Sequence, residues 1–185
     1  MKKLLTIFAI LLASATAQAG LILHISPDGA TGTRWEFTGS TIVNFDGGNN
    51  SFWGENSGSL ANVDSGSHNI LTGGGTLFST SSGTHTVENV WASTHTFDGV
   101  SPRVGFLDWS AGDVLSWSGD LTSTLLFANL NIGSISTNNI LGGDITEALT
   151  ITVSNTAMAA VPSPSTVAIF ALGIMGLATR KFMKQ

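Results

Sequence analysis

The chain has 185 residues, no cysteine, no tyrosine, 22 glycines and a formal charge of −5. The missing cysteines exclude disulfide staples, thiolate-bound zinc, thiol catalysis and iron–sulfur chemistry. All twelve acidic residues lie between Asp28 and Glu147, where Arg34 and Arg103 are the only bases, so residues 20–160 carry 2 − 12 = −10. A field of that sign repels nucleic acid and anionic lipid and tolerates divalent cations.

The N-terminus has the three parts of a secretory signal peptide. Lys2 and Lys3 are the charged start, Leu4 to Ala13 the apolar stretch, and Ala17-Gln18-Ala19 the small-residue cleavage site before Gly20. The expected leader is residues 1–19. A first core helix is the weaker alternative, since nothing caps it and Gly20 ends it abruptly.

From Gly20 to Asn155 the pattern is strand and turn: runs rich in Val, Ile, Thr, Phe and Trp separated by Gly, Asn, Asp and Ser. Leu21 to Ile25 reads as a first strand closed by the turn Ser26-Pro27-Asp28-Gly29. Thr33 to Phe37 alternates, with Thr33, Trp35 and Phe37 on one face and Arg34 and Glu36 on the other. Thr41 to Phe45 follows and ends at the turn-like Asp46-Gly47-Gly48-Asn49-Asn50. Ser51 to Gly75 is polar and glycine-rich, read as short strands or a long loop. Thr76 to Ser79, Thr84 to Trp91 and Thr94 to Phe97 are further strands. Thr84-His85-Thr86-Val87 and Thr94-His95-Thr96-Phe97 are near copies, equally consistent with a hairpin pairing equivalent positions and with coincidence in a Thr-rich chain.

Arg103 to Trp109 and Asp113 to Trp117, joined by Ser110-Ala111-Gly112, give the clearest hairpin signal. Their Leu-Trp pairs share a parity on each strand. Leu121 to Ile135 is one long strand or two, and Asp144 to Ser154 is the last, its apolar face interrupted only by Glu147. Turn signals every eight to twelve residues define the expected fold class: an all-β, antiparallel β-sandwich or jelly-roll-like domain over residues 20–155. With no lysine in this region, its strand edges lack the usual guard against pairing.

Catalytic motifs are absent: there is no G-x-S-x-G elbow, no lysine-ended phosphate loop and no H-E-x-x-H. His24, His68, His85 and His95 are scattered; His85 and His95 across a hairpin would make half a metal site at best. Asp46, Asn49 and Asn50, with Asp98, Asp108 and Asp113, offer the oxygen ligands that calcium takes, without the spacing of a defined calcium loop. Turn formation is the default reading of those Asp-Gly sequences. Five tryptophans, Trp35, Trp53, Trp91, Trp109 and Trp117, suit either a core or a sugar-stacking platform. Trp53, in a polar stretch, is the candidate for exposure.

The C-terminus breaks at Val161-Pro162-Ser163-Pro164. An uncharged apolar run from Val167 to Ala178 follows, then Arg180, Lys181 and Lys184. Ser165 to Thr179 makes roughly 22 Å of helix at 1.5 Å per residue, short against the ~20 apolar residues of a usual span. Its basic end belongs on the cytoplasmic side. The expected organisation is a linker over residues 156–164 and a hydrophobic sorting or anchor helix over residues 165–185. A marginal anchor of this kind suits a temporary one.

This tail, with the leader, resembles the PEP-CTERM sorting signal of exported proteins of Gram-negative bacteria. Pro162, Ser163 and Pro164 match the Pro-containing motif, with Ser163 in place of its acidic residue, and Arg180 and Lys181 match the basic end. The resemblance implies signal peptidase and an exosortase-like processing enzyme as partners, transient inner-membrane association, and delivery to the outer surface or an exopolysaccharide and biofilm matrix. It says nothing of the central domain. The reading is therefore a non-enzymatic surface protein with no cofactor, contacting extracellular polysaccharide. The alternatives are a calcium-assisted carbohydrate-binding module using Trp53 and the Asp46 to Asn50 loop, and more weakly an extracellular glycoside hydrolase with two carboxylates across a cleft.

Overall fold

The computed structural model describes residues 20–158, apart from residues 30, 53, 65, 96–98 and 141–142. The expected signal peptide and the C-terminal hydrophobic helix lie outside the described residues. Between them is a mostly β domain built on one large mixed, largely antiparallel sheet of eleven strands among the described residues. These are β1 Ile22–Asp28, β2 Gly32–Thr38, β3 Ser40–Ile42, β4 Gly47–Ser51, β5 Gly66–Gly73, β6 Thr76–Ser79, β7 Gly83–Ala92, β8 Val100–Trp109, β9 Val114–Ser123, β10 Gly133–Ile140 and β11 Gly143–Val153. The described helical turns, Ser57–Leu60 and Phe127–Asn129, are short 3₁₀ segments.

Strand β9 is the axis of the sheet. One edge pairs with β2 through its second half (Trp35 with Leu121) and with β3 through its first (Thr41 with Leu115). Its other edge pairs likewise with β5 (Gly73 with Leu121) and β6 (Leu77 with Trp117). Each flank is thus a broken strand, and the breaks sit side by side. Gly39 separates β2 from β3, Gly73-Gly74-Gly75 separates β5 from β6, and Gly119 divides β9 itself. Their backbones leave the extended region together, with φ of +108° at Gly39, +95° at Gly119 and +78° at Gly73. Glycine takes such angles without steric penalty, and here it bends three neighbouring strands at one level.

The full path runs β10-β11-β1-β2-β9-β5-β7-β8-β4. Beyond the crease its ends come back together. Gly54, after β4, bridges Ile140 at the end of β10; Ala61 bridges Leu130, and Val43 bridges Ile145 of β11. Thr41 fastens β3 to β11, its buried hydroxyl donating to Glu147 O and accepting from Glu147 N–H, both at 2.9 Å. The sheet encloses a core that includes Leu23, Ile25, Trp35, Leu107, Leu115, Leu121, Leu149 and Ile151, each fully buried. Trp117 meets Phe37 and Phe52 edge-on, at centroid distances of 5.5 and 5.4 Å. One polar chain is enclosed and satisfied: Trp35 Nε1–H donates to Thr33 Oγ1, which bonds Ser123 Oγ, both at 2.9 Å.

Several expectations hold. Trp35 and Phe37 face the core with Thr33, while Arg34 points outward. Ile145, Leu149, Ile151 and Val153 are the buried face of β11. Four corrections follow from pairing rather than propensity. The sheet is not purely antiparallel, because β1 and β11 run parallel, Ile22 beside Thr150 and Ile25 beside Val153. The first strand runs through Pro27 to Asp28: its β11 partner stops at Ile25, and Pro27 faces only Thr33 of β2. The segment expected as a turn at Asp46 to Asn50 is largely strand β4, an edge strand laid against β8. Finally, β8 and β9 form no ladder. The Ser110 to Asp113 turn closes tightly, with Asp113 N–H on Ser110 O at 2.9 Å, but β8 goes to β7 and β4 while β9 goes to the crease. Their Leu-Trp pairs are buried, in an arch across the core. Thr94 and His95 are bends rather than strand; residues 96–97 lie outside the described residues.

A β-carbon at Gly119 would stand 2.7 Å from Gly74 O, whereas one at Gly112, with φ of +96°, meets nothing within 4 Å. Both alanine variants force a left-handed conformation, costing roughly 1–2 kcal/mol, but only Gly119→Ala also clashes with backbone. Urea titration is expected to show Gly119→Ala less stable than Gly112→Ala by at least about 1 kcal/mol.

Candidate functional site

The sequence-selected loop residues gather at the end of the β8–β9 arch, where they hold the chain's own backbone. Asp46 Oδ1 accepts the Ala111 N–H at 2.9 Å. Asn49 Oδ1 accepts from Asn50 N–H at 2.7 Å and from Ser51 N–H at 3.2 Å. Asn50 is exposed on β4. These contacts satisfy donors at an irregular edge strand, work that Asp and Asn do in turns generally. Trp53 lies outside the described residues.

Beside them is an acid that sequence spacing did not single out from its neighbours. Asp113 accepts the Ser110 N–H at 3.0 Å and the Ser79 hydroxyl at 3.3 Å. With the hydroxyls of Ser81 and Thr80, which contribute most, these bonds hold its carboxyl well below the usual carboxylate range. The donors come from the β6–β7 turn, Ser79-Thr80-Ser81-Ser82, whose last hydroxyl also accepts Asp108 N–H at 3.3 Å. A hydroxyl run before Gly83 is visible in the sequence; which carboxylate it serves depends on β6 lying beside β9. The arrangement is a pin: a charged acceptor whose donors belong to two different turns.

The histidines are dispersed. His85 bonds Ser82 Oγ at 3.4 Å, and His95 lies 3.6 Å from Asp64 Oδ2. His68 is partly enclosed on β5, and that burial lowers its pKa. Among the described residues no three His, Asp or Glu side chains are grouped as metal ligands.

Of the described tryptophans, Trp35, Trp109 and Trp117 are core. Trp91 is half-buried on β7 with the Arg103 guanidinium 4.0 Å from its ring centre. Arg34, the other base of the domain, lies 3.1 Å from Asp120 and 3.6 Å from Glu36. Both cations therefore have acidic or aromatic neighbours, and the domain keeps its strongly negative balance.

At the domain's limits, Gly20 is half-buried with its α-carbon against the Ala148 carbonyl, where a side chain would not fit. Ala17 and Ala19, and the expected sorting residues Pro162, Ser163, Pro164, Arg180 and Lys181, lie outside the described residues. Among the described residues no helix is long and apolar enough to cross a membrane. Comparison with protein-family models, curated proteins and solved structures gives no match.

Asp113 gives a pH test. Its carboxyl holds a proton less tightly in the folded protein than in the unfolded chain. Its contribution is therefore complete above the unfolded value, about 4, and is lost as pH falls through the lower folded value. Asp113→Asn is expected to lower the urea midpoint at pH 6, with the gap to the parent narrowing steadily as the pH is taken down to 2. A gap that does not change with pH would show that the charge is irrelevant.

Proposed function

We propose that this is an exported, non-enzymatic protein of the cell envelope or exopolysaccharide matrix. In this reading signal peptidase removes residues 1–19, the C-terminal segment holds the chain briefly in the inner membrane, and an exosortase-like enzyme then releases it to the outer surface. The observation that carries the proposal is the layout: an acidic, cysteine-free β domain filling the interval between two sorting segments. Gly20, the residue after the cleavage site, already packs against Ala148.

We further infer that the sheet is a sandwich of the jelly-roll kind. Support comes from the arch that sends β8 and β9 to different parts of the sheet, and from the Gly54–Ile140 bridge that draws its ends together. Extracellular polysaccharide remains the proposed partner, met through the acidic, hydroxyl-rich exterior. The sugar-stacking alternative is the weaker one, since Trp35, Trp109 and Trp117 are core. The oxygens of Asp46 and Asn49 that the calcium version needs already accept backbone N–H groups.

The test is the intact mass of the protein recovered from cell fractions. The expected species lacks Met1 to Ala19 and the tail beyond the Pro162-Ser163-Pro164 motif, and is found outside the inner membrane. A chain confined to the cytoplasm with both ends intact would refute the proposal. Ser163→Glu is expected to be processed at least as fast as the parent, read as the ratio of mature to precursor bands.

A further inference from the structure

After β11 the chain does not leave the sheet. Ser154 N–H continues the parallel ladder by donating to Ile25 O at 2.9 Å. The next residues swing across the outer face of β1 and β2. Thr156 O accepts from His24 Nε2 at 2.7 Å, and because a carbonyl can only accept, Nε2 carries the hydrogen. Two residues on, Met158 N–H donates to Glu36 Oε2 at 3.0 Å. Within the segment, Ser154 Oγ accepts the Thr156 N–H at 3.2 Å and bonds Thr156 Oγ1 at 3.1 Å.

The sheet side of this contact is specific. His24 and Ser26 alternate with the core residues Leu23 and Ile25 and so face outward, yet His24 is 9% and Ser26 2% exposed. Glu36 is the outward residue opposite His24 in the β1–β2 register. Its side chain is only 15% exposed, and its other oxygen lies 3.6 Å from Arg34 Nε. A histidine and a glutamate from adjacent strands thus present one donor and one acceptor to a crossing backbone, two residues apart. A free linker would satisfy these groups with water instead.

We propose that residues 154–158 are a strap belonging to the folded domain, held by His24 and Glu36, and that the strap sets the C-terminal limit of the mature protein beyond Met158. The docking stands by itself; its consequence for maturation rests on the C-terminal processing proposed above. Met158 precedes Pro162 by four residues. An enzyme drawing the chain into an extended substrate conformation meets the strap there, and cleavage upstream of Met158 requires breaking its bonds to Ile25, His24 and Glu36.

Hydrogen exchange on the full-length chain in detergent micelles, read by mass spectrometry, tests the docking directly. The amides of residues 154–158 are expected to exchange at least tenfold slower than their unstructured rates. Glu36→Ala and His24→Ala should each remove most of the protection over residues 156–158, while Ser154, bonded to Ile25 O, and peptides of β11 stay protected. Met158→Pro deletes the donor without touching the sheet, so it gives the same answer should a sheet variant fail to fold. Glu36→Ala combined with Met158→Pro should lose no more protection than either change alone. Unprotected amides in the parent, or protection of residues 154–157 unchanged in Met158→Pro, would overturn the strap. The C-terminal mass of the processed protein gives the second reading: a terminus at or before Met158 would overturn the limit while leaving the docking measurement intact.

Discussion

The fold depends on a crease. Three adjacent strand lines change direction at Gly39, Gly119 and Gly73, and the bent sheet encloses its core. A flat sheet of this size would leave one side of Trp35, Leu121 and Leu115 in water. At about 25 cal/mol per Å² of apolar surface, leaving these side chains half in water would cost several kcal/mol. Strand β9 has partners along both edges of the bend, β2 and β3 on one and β5 and β6 on the other. Gly119 is placed where a β-carbon would strike Gly74 O, so the crease is tight as well as curved.

Around this frame, polar residues do structural work that resembles site chemistry. Asp46 and Asp113 accept donors from the turns beside them, and Asn49 accepts backbone donors of its own irregular edge strand. Thr41 stitches β3 to the irregular part of β11, and Thr33 with Ser123 gives the indole of Trp35 a partner inside the core. Each of these ties together segments that a disulfide or a bound ion joins in many small domains. Two arginines among twelve acids leave an exterior that is negative on balance and studded with cross-strand hydroxyl pairs, such as Ser134 with Thr152 and Thr72 with Thr122.

What could be read from the residues was whatever alternates. In β2 and β11 the two-residue period and the buried face coincide, because both strands lie with one side on the core. The end of β8 and the start of β9 were legible for the same reason, though β8 begins earlier, at Val100, and β9 runs on to Ser123; their relation was not legible, since a four-residue turn with Gly112 serves a hairpin and an arch equally well. Strand β4 was hidden by its composition: Gly47-Gly48-Asn49-Asn50 has poor strand propensity, and only the neighbouring β8 makes it one. The roles of His24 and Glu36 were hidden more deeply, because the groups they bind lie more than a hundred residues away in the chain and are backbone atoms, which carry no sequence signature.

The parallel pairing of β1 with β11 has a temporal side. The first strand of the domain lies between β2 and the last, so one of its edges has no partner until residue 153 has been made. Long-range closure of this kind is slow and comes late. During synthesis the β1 edge therefore stays unpaired until almost all of the domain has emerged. Topology alone makes this a late folder: a chain that can be threaded first and becomes compact only when its own last strand delivers the missing edge.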